Sequence, residues 1–261
     1  MRGLRTSLVG RTITSAEVRW ARAVDRPSVQ GLVDGVTGGT VTGVSRRAKF
    51  IVIALGDAHL LVHLRMAGRL LLCRSAAIEL VQDPYVRAAF HLDDGSVLLF
   101  RDVRKFGRLY LVQDPSEVVG ALGPEPLADG FTPAVLRNCM TRRRQIKPLL
   151  LDQHVVAGLG NIYVDEALWK ARLHPLRRAD TLNDDDIRRL HAAVRSVLTR
   201  AINDGGTTLR DYRDCEGEVG QHQYALAVYG RAGEACPRCG GAIERIVVGQ
   251  RGTHICARCQ H

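Results

Sequence analysis

Four cysteines near the end of the 261-residue chain carry its most legible chemistry. Cys236 and Cys239 form one C-x2-C pair and Cys256 and Cys259 a second, with 16 residues and a turn-forming GQRGT stretch between the pairs. Each pair puts two thiolates on one turn, and two pairs facing across a hairpin close a tetrahedron around a zinc ion at about 2.3 Å per sulfur. Disulfides are the alternative, which a reducing compartment disfavours. Four sulfur ligands leave no open coordination position, so one such zinc is structural, and interest passes to what the hairpin presents, chiefly Arg251. Cys73, Cys139 and Cys215 stand alone and read as small buried apolar residues or inert thiols.

Three further constellations have chemical meaning. In LLDQHVVAGLGNIYVDEALW a helix runs into a turn containing Gly158 and Gly160, and Asn161 leads a new helix. Free N–H groups at a helix start attract anions, glycine lets a phosphate approach the backbone, and Asn161 can cap the helix while donating to that phosphate. The same turn could simply join two helices. Lys49 in RRAKF enters an apolar strand, where lysine is ordinarily a solvated guard against edge pairing. Met66 in HLRMAG, and Phe106 beside Arg104 in RDVRKFG, sit in glycine-containing turns. Apolar wedges next to an arginine can unstack a duplex and hold the gap open; core packing is the other reading of each.

Residues 1–113 read as the strand-rich element that must position Lys49 and the wedges, since β-branched and apolar runs such as FIVIAL and GSVLLF alternate with Gly and Asp turns. An antiparallel β-sandwich or barrel follows. Residues 114–131, rich in proline and glycine, read as a linker. From residue 132 the apolar period changes to 3.6, and DDDIRRLHAAVRSVLTRAI starts with acidic residues suited to a helix N-terminus. At the other end, Met1, Leu4 and Leu8 fall at helical spacing, Gly10 could end that helix, and no capping residue precedes it. The hydrophobic fraction of 46% is that of a globular chain, and no apolar run approaches the roughly 20 residues that span a bilayer. A cytoplasmic, nucleoid-associated location with no membrane contact is expected. A formal net charge of +10 makes a polyanion, and nucleic acid first, the partner to test against a merely basic enzyme.

The order of these features resembles the formamidopyrimidine-DNA glycosylase and endonuclease VIII family, carried by GLGNIYVDEALW and by the block from CPRC to CARCQ. The resemblance implies an α+β multidomain chain: a β-sandwich over 1–113, a linker over 114–131, a helix-two-turn-helix domain over 132–224 and a zinc-hairpin finger over 225–261. RDCEGEVGQHQYALAVYGRAGEAC looks like the formamidopyrimidine branch, whose longer loop here closes over an everted oxidised purine. By the same resemblance, Met66, Arg104 and Phe106 match the residues that fill the hole left by the flipped base. Asn161 matches the asparagine gripping the phosphate beside the lesion, Lys147 a lysine near the same backbone, and Arg143 belongs to the DNA-contact set. Arg251 matches the finger arginine that holds the phosphate and assists elimination, and Lys49 a lysine with a proton-transfer role. Tyr85 stands where the family usually has histidine. The implied partner is double-stranded DNA with an oxidised base or abasic site, bound by a monomer that excises the base and cleaves the strand.

The front of the chain departs from that pattern. Family members begin with a proline followed by glutamate, in a segment reading approximately PELPEVE ahead of the Arg2-Gly3 seen here. The proline amine attacks the sugar C1′, helped by an α-amine pKa near 8, and the glutamate opens the sugar ring. Neither residue stands in this sequence, and the amine of Met1 is expected on the order of 10 Å from that position. Two expectations follow: a glycosylase and lyase whose native start lies upstream, or a binder of damaged or abasic DNA with at most weak lyase action through Lys49.

Overall fold

Apolar alternation broken by Gly and Asp turns folds residues 13–112 into nine strands among the described residues, which the computed structural model arranges in two sheets. The structure describes residues 2–73, 82–209 and 217–261. The expected position of the Met1 amine, Cys215 and the first four residues of the expected lesion-covering loop, 213–216, lie outside these. Among the described residues no helix is long and apolar enough to cross a membrane.

The chain divides into two compact units, Met1–Ala121 with Thr208–Gly220, and Leu122–Thr207 with Gln221–His261. In the first, β1 (Ile13–Val18), β7 (Val86–Leu92), β8 (Val97–Asp102) and β6 (Gly68–Cys73) form an antiparallel sheet in that order. The other sheet runs β2 (Val24–Arg26), β9 (Arg108–Val112), β5 (Ala58–His63), β4 (Phe50–Leu55), β3 (Gly43–Arg47). The expected all-antiparallel arrangement needs one correction, because β2 pairs with β9 in parallel. Leu60, Val62, Leu70, Phe90, Leu98 and Phe100 interlock in one core. Two helices close that core: α1 (Arg2–Leu8) buries Leu4 and Leu8 as their spacing predicts, and α2 (Val29–Val36) buries Leu32 and Val36. Gly10 ends the first with φ +87°, a left-handed turn that glycine takes without strain.

The second unit is helical, with a zinc-type hairpin. Before it, a one-turn helix α3 (Ser116–Val119) lies within the stretch expected as linker. Helices α4 (Pro133–Cys139), α5 (Ile146–Leu151), α6 (Asn161–Ala171) and α7 (Asp184–Asn203) share a core of Leu136, Leu149, Val164, Leu168 and Leu190. Asn183 caps α7 by accepting the Asp186 N–H, and Asp186 answers by accepting the Asn183 N–H. The hairpin β10 (Glu244–Val248) and β11 (Arg251–Ile255) turns through Gly249 and Gln250, both at positive φ, as a two-residue primed turn requires.

Candidate nucleic-acid interface

In the sandwich unit the wedge residues come together from two separate turns. Met66 lies between β5 and β6, where Gly68 is obligatory because a Cβ there would sit 2.4 Å from the Leu64 carbonyl oxygen. Arg104 and Phe106 lie between β8 and β9. The Arg104 guanidinium reaches the Met66 sulfur at 3.5 Å and stands 5.1 Å from the centre of the Phe106 ring. Met66 is 66% exposed and Phe106 49%, so core packing does not explain either. The turn is braced from below by Asp102, which is buried and accepts the Arg104 N–H at 3.0 Å and the Gly107 N–H at 2.7 Å. Sequence reasoning missed Asp102; its signal was an acidic residue closing an apolar strand two residues before an arginine.

Lys49 does not lie inside a strand. It occupies the two-residue turn between β3 and β4, after Ala48 at φ +52°, because the apparent single run VSRRAKFIVIAL is a hairpin. Next to it, His63 accepts the Arg65 N–H on Nδ1 at 3.0 Å and packs edge-on against Phe50. Burial, with the charges of Arg65 and Lys49 nearby, lowers the His63 pKa to about 4. Its ring is therefore neutral near pH 7, with Nε2 carrying the proton. Tyr85 is exposed, with the guanidinium of Arg101 5.0 Å and that of Arg87 5.9 Å from its ring centre, while Arg101 is anchored on Asp83 at 2.6 Å.

In the helical unit the turn before α6 is tied by Gln153, which donates to the Leu151 and Leu159 carbonyls and accepts the Gly158 N–H. Gly158 has φ +87°. Gly160, not Asn161, is the N-cap, so the expected capping role of Asn161 is wrong. As the first residue of the helix, Asn161 turns its amide away from its own backbone and donates to the Gly252 carbonyl at 2.9 Å, and its buried Oδ1 has no partner. This contact brings the α6 N-terminus against the hairpin one residue from Arg251, itself exposed.

Lys147 also differs from expectation. It is fully buried, and its ammonium donates to Asp165 at 2.6 Å, Thr253 Oγ1 at 2.8 Å and the Gly252 carbonyl at 3.2 Å. All three of its protons are used inside the protein, which leaves none for a DNA backbone. Burial pushes its pKa down, against the attraction of Asp165, and the Arg251 charge adds to the effect. Burial likewise pushes Asp165 up against the pull of Lys147. Asp165 also accepts the His254 N–H at 2.9 Å, and the adjacent Glu166 accepts the N–H groups of Ala227, Val228 and Tyr229. One helix thus fixes both the hairpin and the segment that leads into the finger. Arg143 is exposed and lies 3.7 Å from Asp180.

The four thiols of Cys236, Cys239, Cys256 and Cys259 lie within 4.8 Å of one another, with Cys239 and Cys256 sulfurs 3.4 Å apart and those of Cys236 and Cys259 3.9 Å apart. A tetrahedron of 2.3 Å Zn–S bonds has edges of about 3.8 Å, so the group fits one structural zinc and no disulfide. Trp169 donates its indole N–H to Cys236 at 3.4 Å, and Gln260 accepts the Cys256 N–H while donating to the Leu173 carbonyl. Burial opposes ionisation of Cys236, but the Arg238 N–H and the Trp169 indole outweigh it and bring the pKa down to about 6, suited to metal binding.

Three family models match the chain: the formamidopyrimidine-DNA glycosylase N-terminal domain over residues 1–109, its H2TH domain over 122–213, and the zinc finger found in FPG and IleRS over 233–261. The formamidopyrimidine-DNA glycosylase of Protochlamydia amoebophila is 42% identical over 98% of this chain and 94% of its own length. That of Chloroflexus aurantiacus is 46% identical over 99% and 94%. Among solved structures, a Lactococcus lactis FPG mutant with a Fapy-dG containing DNA matches at a TM-score of 0.92 and 37% identity, covering 100% of this chain and 96% of that one. The Lactococcus lactis Fpg with an abasic site containing DNA gives the same TM-score, identity and coverage.

Proposed function

The chain belongs to the formamidopyrimidine-DNA glycosylase family, and we propose that it does that family's work: it finds an oxidised purine in duplex DNA, excises the base and cleaves the strand at the abasic site. The observation that carries the reading is the exposed trio of Met66, Arg104 and Phe106. A soluble protein has no structural use for two large apolar side chains held in solvent on braced turns around a guanidinium. A duplex with one base removed does, because stacking and a hydrogen-bonding cation replace what the flipped nucleotide took away.

The remaining roles follow from position. Arg251 and the second amide hydrogen of Asn161, together with the first N–H groups of α6, hold the phosphates beside the lesion. Lys147, Asp165 and Thr253 fix the hairpin so that those two donors keep their spacing. The zinc supplies a rigid base for the same hairpin. Lys49, in an electropositive turn beside the neutral His63, supplies a charge or a proton at the sugar, and Arg143 and Tyr85 extend the contact along the backbone. The protein works as a monomer in the nucleoid-containing cytoplasm.

The test is a 20- to 30-base-pair duplex containing one formamidopyrimidine deoxyguanosine, incubated with the full-length protein. Base release with strand cleavage is the expected result for the protein carrying the family's N-terminal proline and glutamate ahead of Arg2. Binding to an abasic duplex no tighter than to an undamaged one overturns the reading of the wedge. Tight abasic binding without base release overturns the catalytic part alone.

A further inference from the structure

The wedge turn is fully braced without a duplex, and one brace comes from a residue outside every motif described above. Lys105 separates Arg104 from Phe106 and has φ +61°, a left-handed step that a long side chain adopts only where the surroundings hold it. Its carbonyl and that of Gly107 accept hydrogen bonds from Arg108, at 3.4 and 2.9 Å. Gly107 is pinned from the other side, since a Cβ there would meet the Phe100 ring at 2.4 Å. The Lys105 ammonium, crowded by Arg104 and Arg108 in sequence, sits 4.1 Å from the centre of the Trp20 ring.

Trp20 is a fixed platform. Its N–H donates to the Arg87 carbonyl, its own carbonyl accepts from Ala23, and its ring packs against the sandwich core. Its indole Nε1 is buried without a partner, so the side chain is retained at a cost in polar pairing. What the ring does offer is its negative face to a cation.

We propose that Trp20 is a positioning residue for gap filling: its ring seats the Lys105 ammonium, which keeps the left-handed step that presents Arg104 and Phe106 side by side. The proposal rests on the wedge reading of Met66, Arg104 and Phe106. It concerns how the turn is held before and during insertion, and Trp20 itself touches no DNA.

The experiment uses the full-length protein and a duplex with a tetrahydrofuran abasic analogue opposite 2-aminopurine, whose fluorescence rises when that base is unstacked. At saturating protein the amplitude reports insertion and not affinity. Trp20→Leu and Lys105→Gln are each expected to lower the amplitude by about half and to weaken abasic binding on the order of fivefold. Affinity for undamaged duplex and its salt slope should stay within about twofold. The double variant should resemble either single one, because both remove the same contact. Trp20→Phe, which keeps a ring and has no N–H, should restore the signal. A normal amplitude in Lys105→Gln, or Trp20→Phe behaving like Trp20→Leu, overturns the proposal. So does a uniform loss of affinity for every duplex with a shallower salt slope in Lys105→Gln, which makes Lys105 a phosphate contact. An unchanged amplitude in Phe106→Ala overturns the wedge reading itself and the proposal with it.

Discussion

Replacing Lys147 by methionine tests whether that residue holds the finger or touches DNA. The substitution keeps the volume of the stem and removes the ammonium, leaving the Asp165 carboxylate buried with the His254 N–H at 2.9 Å and the His254 ring at 3.5 Å. Removing one partner of a buried ion pair costs about 3–5 kcal/mol, and the Gly252 carbonyl and Thr253 hydroxyl each lose one donor in the same step. Against a total stability of about 5–15 kcal/mol this is a large fraction. The loss also depends on pH. Burial already pushes Asp165 up with Lys147 present, so the bare carboxyl titrates still higher. A folded-state pKa raised above the unfolded value of about 3.9 favours the folded state most in acid, and that advantage is lost as pH rises through the folded value. The deficit of Lys147→Met should therefore be small near pH 4.5 and approach about 4 kcal/mol at pH 8. Urea unfolding read by Trp169 fluorescence in a Trp20→Phe background isolates the helical unit, because each unit contains one of the two tryptophans. Adding Asp165→Leu should recover at least about 2 kcal/mol at pH 8 by removing the orphaned charge. A deficit under about 1 kcal/mol, or one equal at both pH values, refutes a buried pair.

Four other outcomes are expected. Arg251→Ala should keep one zinc per chain, measured by metal analysis, while weakening abasic-duplex binding by about 1–3 kcal/mol; loss of zinc would make the arginine structural. Stripping the metal with a chelator should unfold the hairpin and lower the melting temperature, since four thiolates held only by their own turns repel one another; an unchanged melting curve argues against a zinc-built finger. Gly107→Ala should destabilise the sandwich by about 2 kcal/mol or more, read by denaturant midpoint, because its Cβ collides with the Phe100 ring of the core. His63, held neutral with a pKa of about 4, should make the protein less stable as pH falls from about 6.5 towards 4, since the unfolded chain binds the proton first. His63→Gln should flatten that part of the profile; a slope equal to wild type excludes this source.

Legibility from sequence followed the range of the physics involved. The finger, the α6 turn and the wedge turns are set by residues within a few positions of one another: C-x2-C spacing, glycines at positive φ, an apolar residue beside an arginine. Such local constraints are written in order along the chain. The α1 face was legible for the same reason. Lys49 was misjudged because the turn between β3 and β4 lacks the usual Gly, Asn or Asp, using Ala48 at φ +52°, so that VSRRAKFIVIAL reads as one strand. Helix α2 was hidden because VQGLVDGV, with two glycines, has weak helix propensity and owes its form to packing against the sheet.

What sequence could not distinguish was a charge that leaves the protein from one that stays in it. Lys147, Arg143 and Arg251 are alike as letters, yet one is fully buried and two are exposed. The difference is made by Asp165, 18 positions away along the chain, and by Thr253, 106 away, meeting the same ammonium. Asp165 and its neighbour Glu166 are consecutive acidic residues within one helix. In the fold both are buried, and between them they take four backbone N–H groups and one ammonium from the segments that lead into and through the finger. A helix that buries two consecutive carboxylates gains little stability from doing so, because desolvation offsets most of the attraction. Its gain is a defined register: the finger docks in the one position where each N–H meets an oxygen, and Arg251 and Asn161 are thereby held one residue apart at Gly252.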